Sequence, residues 1–363
     1  MQRWRRAGRG IAALACGVAA ALASPAVVGP MVRTAGAAST PTTTIPSTTT
    51  APSGTTSGAP VGRVTRTFVD RTRKTPADAS AGLLGADRRT LPTTIYYPAR
   101  GAQEPGVVTA DARPARGTHP LVLFNPGSPG TPEDYEVLLA DWAAHGYVVA
   151  AIEFPISSVA GPDDAAWKDL PAQTKDARFV LDKVLALDAQ KAGIPEIDAD
   201  RIAVAGHSFG GATALSLASK CCRDDRVDAV LALAAVTVTD HGPALKGIDG
   251  PILFVHGRND RAVSWSQAAA KCRTAGGPKR FLTIEEIRGL RAHVIPFLGR
   301  GDTYSAVARP ATVDFLDGYL RDRKAARDRL ERAGAGTDVG GVTRCPAEPA
   351  TSDTPSTTTT TGG

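Results

Sequence analysis

The run Asp200-Arg201-Ile202-Ala203-Val204-Ala205-Gly206-His207-Ser208-Phe209-Gly210-Gly211-Ala212-Thr213 decides the fold. Residues 202–205 are short and wholly apolar, the pattern of a strand covered on both faces. Gly206-His207-Ser208-Phe209-Gly210 then fits Gly-x-Ser-x-Gly, and small, helix-compatible residues follow. Strand, tight turn and helix in that order make a nucleophile elbow. The turn holds its serine in a strained conformation that lifts the hydroxyl clear of the sheet. The helix aims its N-terminal dipole at the same point. A Cβ at Gly206 or Gly210 would crowd the strand against the helix. Ser208 is therefore the candidate nucleophile.

On either side of this run, apolar strands alternate with helical patterns. Upstream, residues 64–69 and 89–98 read as strands, with Pro92 suited to an antiparallel edge or a strand end. Residues 99–118 are Gly/Pro-rich and polar, a surface loop. A buried strand at 120–124 runs into the turn Asn125-Pro126-Gly127-Ser128-Pro129-Gly130. Thr131 caps a helix over 132–144 that has Pro132 at its first position and Gly146 past its end. A strand at 147–152 and an amphipathic helix at 174–190 lead to the elbow. Downstream, strands are expected at 227–235, 251–255 and 280–284, with helices at 264–274 and over most of 303–332. The pattern predicts an α/β fold: a mostly parallel central sheet with helices on both faces and antiparallel strands only at the front.

Both chain ends look non-globular. Arg3, Arg5, Arg6 and Arg9 precede an apolar, alanine-rich run at 11–23, and small-residue cleavage sites follow by residue 38. This is the pattern of a secretory signal peptide, too short to anchor stably in a bilayer. Residues 39–60 are a Thr/Ser/Pro-rich linker and 347–363 a Thr-rich tail, leaving one domain over 61–346. The formal charge of +6 falls to +2 if cleavage after Ala23 removes four arginines, and to +1 if cleavage after Ala38 also removes Arg33. With no basic patch interleaved with aromatics, nucleic acid is excluded as a partner, and the domain is read as an exported or cell-surface monomer. Cys221, Cys222, Cys272 and Cys345 remain after the leader, an even set that favours disulfides in an exported protein. Cys345 is expected to tie the C-terminal segment to one of the other three. No Cys/His spacing suits a zinc site, and no cofactor or metal is called for.

A serine needs a base to take its proton and a carboxylate to orient that base. On this architecture the order is Ser, acid, His, on loops at the ends of later strands. Asp260, in Phe254-Val255-His256-Gly257-Arg258-Asn259-Asp260, ends one such strand. Asp240 after the preceding strand is the rival acid. The last histidine of the chain, His293, is the only one beyond Asp260, so order and exclusion select it as base. His207 and His256 are read as turn-shaping residues, with His207 pointing away from the reaction. A tetrahedral intermediate needs two backbone donors. Phe209, just after the nucleophile, supplies one. The other comes from the 125–130 turn, where Pro126 and Pro129 lack an N–H and Ser128 supplies the amide. Trp265 and Phe297 are candidate walls of the substrate pocket, and Trp167, in an insertion at 161–170, is a candidate lid residue.

These stretches resemble the α/β-hydrolase superfamily. The resemblance is strongest to secreted bacterial esterases grouped with platelet-activating factor acetylhydrolase-like, chlorophyllase-like and cutinase-like proteins. It is carried by residues 89–98, Asp134-Tyr135 together with 145–149, 176–182, 197–211 and 251–257. It implies the roles above for Ser208, Asp260, His293, Ser128 and Phe209. Two departures stand out: Pro126-Gly127 replaces the common His-Gly, and 285–291 is charged rather than glycine-rich. The expected activity is hydrolysis of a small or lipid-like carboxylic ester through an acyl-enzyme. An acyltransferase with the same triad and a catalytically silent binding protein are the alternatives.

Overall fold

A computed structural model of the chain describes residues 59–101, 107–159, 164–236, 245, 247–299 and 301–347. The leader, all but the last two linker residues, the tail from 348 onward, Asp240, His241 and the start of the 161–170 insertion lie outside them.

Alternation along each central strand builds the layers. β6 (Glu196–His207) sends Ile202 and Val204 to one face and Ala203 and Ala205 to the other, because successive strand side chains point to opposite sides. In β4 (Thr118–Asn125), Leu121 and Leu123 face one side, Val122 and Phe124 the other. β8 (Ile252–Asp260) divides Ile252 and Phe254 from Leu253 and Val255 in the same way. Both sets are buried, which is why these strands read as continuous apolar runs. With β5 (Val148–Ile152), β7 (Ala229–Leu233) and β9 (Lys279–Gly289) they form a parallel block ordered β9-β8-β7-β6-β4-β5. β2 (Arg89–Pro98) adds antiparallel to β5, and β1 (Val61–Asp70) antiparallel to β2.

Helices cover both faces. α2 (Asp164–Leu185), the single-turn α3 (Ala189–Ala192), α4 (Ser208–Ala218) and α5 (Trp265–Thr274) bury their apolar sides in one cluster. α1 (Glu136–Ala144), α6 (Leu290–Leu298), α7 (Thr303–Leu320) and α8 (Lys324–Leu330) bury theirs in the other. Among the described residues, no helix is long and apolar enough to cross a membrane.

Several boundaries differ from the sequence reading. β3 (Val108–Ala110) pairs with β1 inside the stretch expected to be plain loop, and β10 (Gly340–Thr343) pairs antiparallel with β9, so antiparallel strands flank both ends. Each covers an edge whose N–H and C=O groups would otherwise lack partners. β2 lies between β1 and β5 rather than at an edge. Pro92 falls just outside the 93–96 stretch paired with β5, and its carbonyl accepts the Glu153 amide. α2 begins ten residues earlier than the periodicity suggests and carries Pro171 inside it. Its charged residues explain why. Arg89, 1% exposed on β2, donates to both Asp169 and Asp176, which flank the proline two turns apart on one helix face. Arg73 adds a second cation, its Nη1 2.7 Å from Asp176. The buried cluster holds the helix across its proline.

Cys272 on α5 is disulfide-bonded to Cys345, just past β10, closing a loop 73 residues long. Cys221 and Cys222 are bonded to each other after α4.

Candidate active site

The elbow follows from steric demand. Ser208 has φ +53°, a left-handed conformation rare for a residue with a side chain. It is held there by close contact all round. A Cβ on Gly206 would lie 2.1 Å from the Gly210 carbonyl oxygen, and one on Gly210 would lie 2.0 Å from that of Asn125. A Cβ on Gly211 would lie 2.4 Å from that of Ala235. The sequence Gly-x-Ser-x-Gly-Gly is thus the condition for the strand, the helix and the 125–130 turn to meet at the serine. Ser208 opens α4, so the Phe209 amide belongs to the first turn, whose N–H groups lack intrahelical acceptors.

Asp260 and His293 adjoin because β8 and β9 run past the sheet together. After a register shift beyond Gly257 they pair again at Asn259↔Arg288 and Asp260↔Gly289. Gly289, at φ +67°, turns the chain into α6, and His293 falls in that helix's first turn rather than on a loop. The charged stretch that departs from the glycine-rich pattern is the end of this strand.

Asp260 Oδ2 accepts from His293 Nδ1 at 2.7 Å, and both residues are buried. Asp260 Oδ1 accepts the amides of Ala262 (2.8 Å) and Val263 (3.0 Å). His256 Nε2 lies 3.4 Å from Asp260 Oδ2 and 3.0 Å from the Val263 carbonyl. Burial pushes the Asp260 carboxyl up, but hydrogen bonds from His256 and His293, the His293 charge and the Val263 amide outweigh it. They hold the group well below the usual carboxylate range. An ionised Asp260 facing Nδ1 favours the His293 tautomer with its proton on Nδ1, which leaves Nε2 with a free lone pair.

The 125–130 turn packs directly on the nucleophile. A Cβ on Gly127 would lie 3.2 Å from that of Ser208 and 3.0 Å from His207 Nδ1. The Gly127 amide donates to Tyr135 Oη at 3.0 Å, so of residues 126–129 it is Ser128 whose N–H the oxyanion reading takes. The structure thus gathers Ser208, Asp260, His293, Phe209 and the turn carrying Ser128 into one place.

Phe297, one turn after His293, is fully buried with its ring 5.1 Å from that of His207. Trp265 is placed among core residues: edge-on to Phe281, its indole N–H on Thr283 Oγ1 at 3.2 Å, and Arg258 stacked 3.6 Å over its face. Trp167 in α2 is half-buried, 5.1 Å from and edge-on to the Phe209 ring, in a small apolar cluster with Ala166, Leu170, Ala212 and Val236. The cluster adjoins Ser208 through Phe209 and is largely buried, with Trp167 and Val236 its partly exposed members.

Sequence reasoning gave Tyr135 no role and read His207 only as a turn-shaping residue pointing away from the reaction. The histidine does point away from Ser208, but into a buried hydrogen-bonded chain with Tyr135 and His293. Tyr135 belongs to the Asp134-Tyr135 stretch that carries the resemblance, but nothing local gives it a role in this helix-compatible run. Only the fold brings it to the elbow.

The ferulic acid esterase from Streptomyces cinnamoneus superposes with a TM-score of 0.57 over 81% of this chain and 98% of its own, at 26% identity. The chain is an α/β-hydrolase by fold. Within this α/β-hydrolase, a family model described as chlorophyllase matches residues 98–257, from the end of β2 to just before Asp260. Platelet-activating factor acetylhydrolase of Canis lupus familiaris is 25% identical over 210 residues, 46% of each chain. Cutinase est2 of Thermobifida alba is 33% identical over 127 residues, 35% of this chain and 34% of its own. The matched stretches thus span less than half the length of these two relatives.

Proposed function

We propose that this α/β-hydrolase cleaves carboxylic esters through a Ser208 acyl-enzyme, outside the cytoplasm. The observation that carries the reading is the 2.7 Å contact of Asp260 with His293 beside a serine held at positive φ. In the proposed cycle His293 Nε2 takes the Ser208 proton as Oγ attacks the ester carbonyl. Asp260 stabilises the imidazolium, and the Phe209 and Ser128 amides donate to the oxyanion. The intermediate collapses with cleavage of the ester C–O bond, and His293 passes its proton to the departing alcohol. Water, deprotonated by the same nitrogen, then attacks the acyl carbonyl, and the carboxylic acid leaves with Ser208 restored. The partly exposed Trp167 and Val236, packed against buried Phe209, suit an apolar or aromatic group on the substrate. The arginine-flanked leader and the Cys272–Cys345 disulfide support export into an oxidising compartment.

Trapping tests the assignment. Diethyl p-nitrophenyl phosphate should add a diethylphosphoryl group to the tryptic peptide carrying Ser208. The adduct should form at least 100-fold more slowly in His293→Ala, within the range of ~10²–10⁴ for loss of a general base. A folded wild type that takes no adduct, or takes it elsewhere, would refute the proposal.

A further inference from the structure

A buried chain of hydrogen bonds links the oxyanion turn to the base without passing through the substrate. The Gly127 amide donates to Tyr135 Oη at 3.0 Å, Tyr135 Oη lies 2.7 Å from His207 Nδ1, and His207 Nε2 lies 2.9 Å from the His293 carbonyl oxygen. Its proton order is forced. A carbonyl only accepts, so His207 carries its hydrogen on Nε2; a neutral imidazole has one N–H, so Nδ1 accepts. Tyr135 therefore donates to His207 and keeps a lone pair for Gly127. His207 is 3% exposed and Tyr135 also 3%, and their rings pack at 5.6 Å, with the His293 ring 4.6 Å from that of His207. Burial first, then the neighbouring His293 charge, drives the His207 pKa down to about 3, so the imidazole stays neutral and the order holds. Tyr135 is in turn seated against Phe124 at the end of β4, with ring centroids 4.8 Å apart.

We infer that His207 and Tyr135 are positioning residues. They set the distance between the oxyanion donor of the 125–130 turn and the catalytic base by joining Gly127 to the His293 main chain. The inference rests on the esterase reading for its kinetic consequence, but not for the hydrogen-bond order itself. Neither residue exchanges a proton with substrate. Each instead holds a reacting group that a loose chain would let drift, and drift of about 1 Å at such a site costs on the order of 10²-fold in rate.

The test uses the full chain as Tyr135→Phe, His207→Leu and His207→Gln, with p-nitrophenyl butyrate as substrate and thermal melting as the check on folding. Glutamine offers both an acceptor and a donor, whereas leucine offers neither. Tyr135→Phe and His207→Leu should lower kcat by about 10–100-fold with KM within about twofold, and His207→Gln should recover most of the loss. Nitrogen-15 NMR of histidine-labelled protein should show His207 as the neutral Nε2–H tautomer at pH 6, with the His293 signals shifted in Tyr135→Phe. Equal loss in leucine and glutamine variants, loss confined to KM, or a charged or Nδ1–H His207 would overturn the inference. If the wild type shows no Ser208-dependent turnover, the esterase reading fails instead, and the NMR result alone decides the relay.

Discussion

Asp260→Asn should silence the enzyme while leaving it folded, and the structure says why. Asp260 Oδ1 accepts two backbone amides, from Ala262 and Val263. An asparagine in its place keeps those bonds by turning its carbonyl oxygen to them, which puts its NH₂ where Oδ2 faces His293 Nδ1. An amide nitrogen cannot accept from Nδ1–H, so His293 must move its proton to Nε2, the atom that in the proposed cycle takes the proton of Ser208. Trapping a triad histidine in the wrong tautomer costs about 10⁴-fold in kcat, or roughly 5.5 kcal/mol of transition-state stabilisation. The measurement is kcat and KM on p-nitrophenyl butyrate at pH 7 beside melting curves. KM should stay within about twofold, because the carboxylate does not touch substrate. Asp260→Ala should be as inactive but melt lower, since it strands both amides at roughly 1–3 kcal/mol each. An Asp260→Asn enzyme within tenfold of wild type would refute the reasoning. If Asp240→Asn fell in its place, the rival carboxylate would be the acid.

Three further outcomes follow from other parts of the fold. Arg89→Met leaves Asp169 and Asp176 buried with Arg73 as their remaining cation, and should cost about 3–5 kcal/mol in urea unfolding; a change below 1 kcal/mol would show that the cluster does not hold α2. Gly210→Ala drives a Cβ to 2.0 Å from the Asn125 carbonyl oxygen, so activity should fall by about 10²-fold or more even in protein that folds, which a folded, fully active alanine variant would contradict. His207 has a pKa near 3 in the folded chain against 6.5 ordinarily. Its contribution is therefore complete above about pH 6.5 and lost as pH falls toward 3, roughly 5 kcal/mol in all. Urea midpoints of wild type and His207→Gln should converge across that interval, and parallel curves would refute the link.

The elbow was legible because every constraint on it is local. A strand buried on both faces, a serine at positive φ and glycines where Cβ atoms cannot fit all leave their mark within residues 202–211. That Asp260 and His293 would lie near one another could be read for a related reason, since the parallel topology fixes which strand ends can meet. Features that depend on two distant segments were not legible. The partner of Asp169 and Asp176 is Arg89 on β2, 80 or more residues away, so the helix expected only from 174 could not be seen to begin at 164 and run through Pro171. The charged stretch 285–288 reads as loop, but pairing with β8 extends β9 to Gly289 and puts His293 on a helix. Trp265 looks like a pocket wall because it follows the acid in sequence, yet its ring stacks under Arg258 and against Phe281. Tyr135 and His207 are ordinary residues in sequence, and only the packing of the 125–130 turn on the elbow joins them.

The most direct test of the central claim is hydrolysis of p-nitrophenyl esters from acetyl to palmitoyl by wild type and Ser208→Ala side by side. The account predicts turnover by the wild type and a loss of at least about 10⁴-fold in the variant, with melting temperatures unchanged. Full activity in folded Ser208→Ala, or no turnover of any ester by folded wild type, would contradict it.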